Sequence, residues 1–220
     1  MIKRVKSLKL NTQKIQLVFS WVIRAFILLA ITGAAINQRW YILFISSLAL
    51  MLTFLPATIE KRFKVYLPAE FEIIITLFIY SSLLLGEVHR YYTLYWWWDI
   101  LLHTVSSLVI GFIGFILLFI MFEEKKITGK PITIAIFAFC FALAIGALWE
   151  IFEFSMDQTL GLNMQKSGLI DTMWDLIVDA AGALFTSLIG FIYLKGGKTR
   201  IFNKLLTRFE SENPNIFKRN

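Results

Sequence analysis

Apolar residues come in long unbroken blocks, unlike the two-residue alternation of strands or the narrow stripe of a soluble helix. Six blocks stand out, at about 16–36, 40–59, 67–85, 97–122, 132–154 and 171–194. A helix needs about 20 predominantly apolar residues to cross the hydrocarbon of a bilayer, and each block is near that length. Transmembrane strands would be shorter and alternating. The pattern predicts an all-α polytopic bundle of six transmembrane helices, forming a single integral-membrane domain over 1–220 with a basic tail from 195. The intervals between blocks are too short for a separate soluble domain. The first block follows basic residues and precedes Gly33-Ala34-Ala35, as a cleaved signal would. It is too long for a signal core and contains Arg24, so it reads as a span.

Composition agrees with this and charge adds an orientation. The chain is 58% hydrophobic and 17% charged, against about 45–50% and a quarter in soluble domains. The formal charge is nevertheless +7. Of the 22 Lys and Arg, 18 fall on one side: in the N-terminal tail, at 61–64, at 125–130 and in the C-terminal tail. The opposite loops hold one each, Arg39, Arg90 and Lys166. Cytoplasmic loops carry the excess of Lys and Arg, which predicts a cell-membrane protein with both termini cytoplasmic. The positive charge is a topology signal and gives no reason to expect nucleic acid. In the tail, Ile201, Phe202, Leu205, Leu206 and Phe209 share one helical face, flanked by Lys198, Lys204 and Arg208. Such a helix can lie on the inner leaflet against anionic lipid, or be a positive-inside tail and nothing more.

The acids then become the informative minority. Eight of the 15 lie in the outward half or its loops, along with six of the seven Trp, the expected interfacial aromatic belt. Three stretches concentrate them. Asp99 and His103 stand four apart in WWDILLH, Glu150 and Glu153 three apart in WEIFEF, and Asp171, Asp175 and Asp179 at four-residue steps in DTMWDLIVD. Each spacing stacks its polar groups on one helical stripe. At 1.5 Å per residue, His103 and Asp179 sit roughly 6–12 Å below the outer helix ends, so the three stripes share a depth. An ionised Asp at the bilayer centre costs about 2.5–3.5 kcal/mol, and intramembrane ionisable groups are functional by default. Protonation, a water-filled cavity or a bound cation would relieve that cost. Candidate ligands for a divalent cation are Asp99, His103, Glu150, Glu153, Asp175 and Asp179, with His103, Glu150 and Asp175 the candidate catalytic groups. Carboxylates with one imidazole suit Mg²⁺, Mn²⁺ or Ca²⁺, and also Zn²⁺ or Fe²⁺. With two His in the chain, the paired Glu-x-x-His of di-iron bundles and the H-E-x-x-H of zinc proteases are both missing.

Other residues have blander readings. Asp171 can cap the sixth span, Asp157 reads as a solvated loop residue, and Glu87 and His89 as surface residues. Glu70 and Glu72 suit a helix N-terminus after Pro68. Arg24 is expected to snorkel or pair with Glu72, and Cys140 to be a small core residue. Ser106 and Ser107 read as helix-packing groups, as do Gly111, Gly114, Gly182, Thr186 and Gly190.

In WWDILLHTVSS, ALWEIFEFSMDQTLGLNMQ and DTMWDLIVDAAGAL the chain resembles the YjdF-like family of predicted inner-membrane proteins, closely over the C-terminal half. It is more distantly similar to VanZ-like glycopeptide-resistance proteins. The resemblance implies a shared membrane core and lands on Asp99, His103, Glu150, Glu153, Asp171, Asp175 and Gly182. It implies no reaction, because fold likeness does not transfer activity. Ser106-Ser107 stands where the family pattern leads one to expect Ser-Gly.

Three functions fit these residues. One is a metal-dependent enzyme acting on an outer-leaflet lipid or a glycan precursor of the envelope, from an outward-facing pocket between spans four, five and six. The second is a proton- or cation-coupled transporter, disfavoured by the almost purely apolar inner halves of those spans. The third is a non-catalytic envelope module whose acids hold helices together.

Overall fold

The computed structural model describes residues 2–123, 129–197 and 199–217. Lys125, Lys126, Lys198, Lys218 and Arg219, used in the topology count, lie outside the described residues, as do the side chains of Lys3, Arg4, Lys6, Lys9 and Ile201. All regular structure among the described residues is helical. Six stretches are long and apolar enough to span a membrane: Lys14–Ile36, Trp40–Phe63, Ala69–Val88, Trp98–Phe122, Pro131–Leu160 and Leu169–Leu194. The fifth runs six residues past the expected end at 154. The chain divides into two compact units, Met1–Trp98 and Asp99–Asn220.

In the first unit, α1 (Ile2–Ile36) is followed by a second span made of two helices, α2 (Trp40–Leu52) and α3 (Leu55–Phe63). The break falls at Thr53-Phe54, just before Pro56 in the first turn of α3, the helix position where proline is tolerated. Pro68 sets the start of α4 (Ala69–Ile79), which passes into a π-helical segment, Tyr80–Val88, and then the short α5 (Tyr91–Leu94). Ile23, Ile27, Ala49, Ile79 and Leu84 form the apolar core. Arg24 is satisfied inside the protein. Its Nε donates to Thr53 Oγ1 at 3.2 Å and its Nη2 to the Thr53 carbonyl at 2.9 Å, with the guanidinium 4.0 Å from the Phe54 ring centre. The helix break thus serves as its acceptor, while Glu72 acts on it electrostatically and accepts a hydrogen bond from Gln16. Glu87 accepts from the Tyr41 hydroxyl at 3.1 Å, and His89 is exposed.

The second unit packs α6 (Trp98–Glu123), α7 (Pro131–Leu160), α8 (Leu169–Leu194) and α9 (Arg200–Glu212). Here α6 and α8 run in the same direction, with Ser107 against Gly182, Gly111 against Thr186 and Phe115 against Gly190. The Thr186 hydroxyl donates across to the Leu108 carbonyl at 3.3 Å. The oppositely directed α7 lays Gly146 against Asp179 and Phe141 against Gly114. The buried faces are lined by small residues, Ala135, Ala138, Ala142 and Gly146 on α7 and Gly182, Ala183, Ser187 and Gly190 on α8. Large side chains such as Leu148, Ile151, Ile177, Phe185 and Leu188 point outward. This inverts the pattern of a soluble protein and suits lipid, where helices associate through close backbone approach because no hydrophobic effect drives them together.

Three expectations change here. Cys140 is exposed on α7, because the buried stripe passes through Ala138 and Ala142 instead. Asp157 belongs to the last turns of α7 and is half-buried. The apolar face of α9 is covered by protein: Phe202, Leu206 and Phe209 are buried, and the Phe202 ring sits 5.0 Å from Phe112 and 4.9 Å from Phe115. That face is spent on the aromatic cluster of α6 and Tyr193 of α8, so it is not free to lie on a membrane surface.

Candidate functional site

The buried stripe of each long helix in the second unit ends in ionisable groups. On α7 the four-residue steps Ala138, Ala142, Gly146 lead to Glu150; on α8 they lead back from Ala183 to Asp179 and Asp175. The acids therefore occupy positions that already face the neighbouring helices. His103 on α6 is 8% exposed, Glu150 4%, Asp175 3% and Asp179 2%.

His103 organises the cluster. Its Nδ1 lies 3.3 Å from Asp179 Oδ2, within hydrogen-bonding distance. Nε2 faces three carboxylate oxygens: Asp99 Oδ1 at 3.9 Å, Glu150 Oε1 at 3.9 Å and Asp175 Oδ1 at 4.0 Å. Ligand atoms of Asp99, His103 and Asp175 all lie within 4.8 Å of one another. Both oxygens of Glu150 and Oδ1 of Asp179 are buried without a hydrogen-bond partner among the described residues. Gly146 makes the Asp179 position possible, since any side chain there would strike the Asp179 carboxylate.

Not every expected residue joins the ring. Glu153 accepts from Trp149 Nε1 at 2.9 Å, one turn away on its own helix. Asp171 lies in the first turn of α8 without making a side-chain cap; the cap position is Gly168, and the carboxylate meets the helix dipole instead. Ser106 and Ser107 donate back to the carbonyls of His103 and Thr104, as packing residues do.

Two residues escaped the sequence reading. Lys166 places its Nζ 2.7 Å from Asp99 Oδ2, at the edge of the cluster where Asp99 and Lys166 are 22% and 26% exposed in their side chains. Asp157 shapes the loop that delivers it, accepting the Met164 N–H at 2.7 Å and the Gln165 N–H at 2.9 Å. The available signal was position: Lys166 is the one basic residue between two acid-bearing spans.

A helix bundle packed on small residues, apolar outside and acidic at one end of its core, defines an integral membrane protein with a buried carboxylate–histidine cluster. Residues 19–196 match the family described as Predicted membrane protein (DUF2238), and the chain belongs to that family. The YjdF-like resemblance is consistent with this membership. An uncharacterized protein of Thermotoga maritima is 28% identical over 129 residues, which cover 59% of this chain and 66% of the relative. No solved structure matches the chain.

Proposed function

We propose that the protein holds a divalent cation in the outer half of the cell membrane, between Asp99, His103, Glu150 and Asp175. The observation that carries this reading is geometric: Nε2 of His103 faces three carboxylate oxygens at 3.9–4.0 Å while Asp179 holds Nδ1 from the other side. Metal-ligating histidines almost always give their second nitrogen to a carboxylate or carbonyl in this way. Both oxygens of Glu150 are buried without a hydrogen-bond partner among the described residues, and a bound cation would satisfy them. Ligands at about 2.0–2.2 Å from a shared ion stand closer together than 3.9 Å, so the side chains close slightly around it. One imidazole with three carboxylates suits Mn²⁺, Fe²⁺ or Zn²⁺ better than Ca²⁺.

The reaction class that fits is Lewis-acid chemistry on an outer-leaflet lipid or an envelope glycan precursor. A cation held by Asp99, His103, Glu150 and Asp175 would supply Lewis-acid polarisation of a substrate oxygen there. Transport fits less well. Beyond Asp179 the buried stripe continues as Gly182, Ala183, Thr186, Ser187 and Gly190, with no ionisable group to pass a charge onward.

Metal analysis of the purified protein beside Glu150→Gln and Asp175→Asn tests the proposal. Wild type should carry about one ion per chain and both variants much less than one. Metal-free wild type, with the two variants less stable, would make the acids a structural network instead.

A further inference from the structure

We infer that Lys166 is a built-in competitor of the bound cation, presented to the site by the loop between α7 and α8. The inference rests on the cation reading above and concerns how that site is regulated.

The loop, residues 161–168, is bounded by glycines with positive φ, Gly161 at 65° and Gly168 at 67°. That backbone region disfavours other residues, so each end reverses the chain tightly. Between them the loop is held at three points. Asp157 accepts the N–H groups of Met164 and Gln165, and the Gln165 side chain donates to the Thr172 hydroxyl at 2.7 Å. The residue after Gln165 is Lys166. Its ammonium is therefore presented at a set position, with its Nζ on Asp99 Oδ2, while Asp99 Oδ1 faces His103. One carboxylate thus links the loop cation to the ring. The partners are three-quarters shielded, so solvent screens them only in part. A divalent ion entering the ring meets a positive charge already neutralising one of its ligands. It binds only as tightly as displacing or repelling that charge allows. In a tethered competitor the effective concentration is set by how well the tether holds its geometry, which gives Asp157 a role although it does not touch the cluster.

Titration of the full-length protein in lipid nanodiscs with Mn²⁺ alone, read by the loss of the free-ion electron paramagnetic resonance signal, tests this. Lys166→Gln should tighten Mn²⁺ binding about tenfold, by removing the competing population, and Lys166→Arg should stay near wild type. Asp157→Ala should tighten binding by a smaller factor in the wild-type background and leave it unchanged in the Lys166→Gln background, because both act through one ammonium. Weaker binding in Lys166→Gln would mean that Lys166 positions Asp99 for the ion, and it overturns the inference. So do equal affinities, or additive effects of the two substitutions. Absence of saturable Mn²⁺ binding in wild type and every variant overturns the cation site itself. Binding that appears only once Lys166 is removed supports both readings.

Discussion

Asp179 shows how a single side chain makes the cluster directional. It contacts His103 at Nδ1 and leaves Nε2 to the other three carboxylates. Groups that hold a metal-ligating histidine in place are typically worth 10–100-fold in affinity, so on the cation reading proposed above Asp179→Ala should weaken Mn²⁺ binding by about that factor while Asp179→Asn, which keeps an acceptor, loses less. The same titration reads both. At this scale the sequence was legible in part. The i, i+4 spacings placed Asp99 with His103 and Asp175 with Asp179, because both pairs lie within one helix. Glu153 entered the ligand set by the same rule, and in the structure its Oε1 accepts from Trp149 Nε1 on its own helix. Helical spacing says which residues share a face and not which neighbour that face meets. Lys166 was out of reach for a related reason: its partner Asp99 lies 67 positions away and the loop that carries it is folded by Asp157.

Helices were the most legible level. Apolar block length is a direct reading of membrane thickness, so all six spans emerged, and only their ends moved. The break in the second span at Thr53-Phe54 falls just before Pro56, which can open a helix but not continue one, and Arg24 takes up the Thr53 carbonyl there. The amphipathic tail is the instructive difference. A helix with one apolar face satisfies itself equally well on lipid or on protein, and its sequence does not say which. The aromatic rings of Phe112, Phe115 and Phe119 on α6, with Tyr193 on α8, provide the protein surface. Removing a buried Leu from such a contact costs about 2–5 kcal/mol. Leu206→Ala should therefore release α9, seen as faster proteolysis within 195–199 of detergent-solubilised protein. A cleavage rate equal to wild type would mean that α9 is held by something other than this face.

For the molecule as a whole, the loop charges predict that both termini face the cytoplasm and that the 86–95 loop faces out. Reporter fusions in that loop and at the C-terminus should give opposite compartments; the same compartment for both would overturn the topology. The small-residue stripe has a further consequence, for biogenesis. Alone in lipid, α8 would expose Asp175 and Asp179, and α7 would expose Glu150, each at a cost of kilocalories. Gly146 lets the two helices meet at Asp179, with only residues 161–168 between them. A partnership this close favours their leaving the translocon together as a hairpin, the acids hidden from the acyl chains from the start. A bulky residue at 146 would then be felt first as failed insertion and degradation of the nascent chain, before any fully assembled protein could show a lost activity.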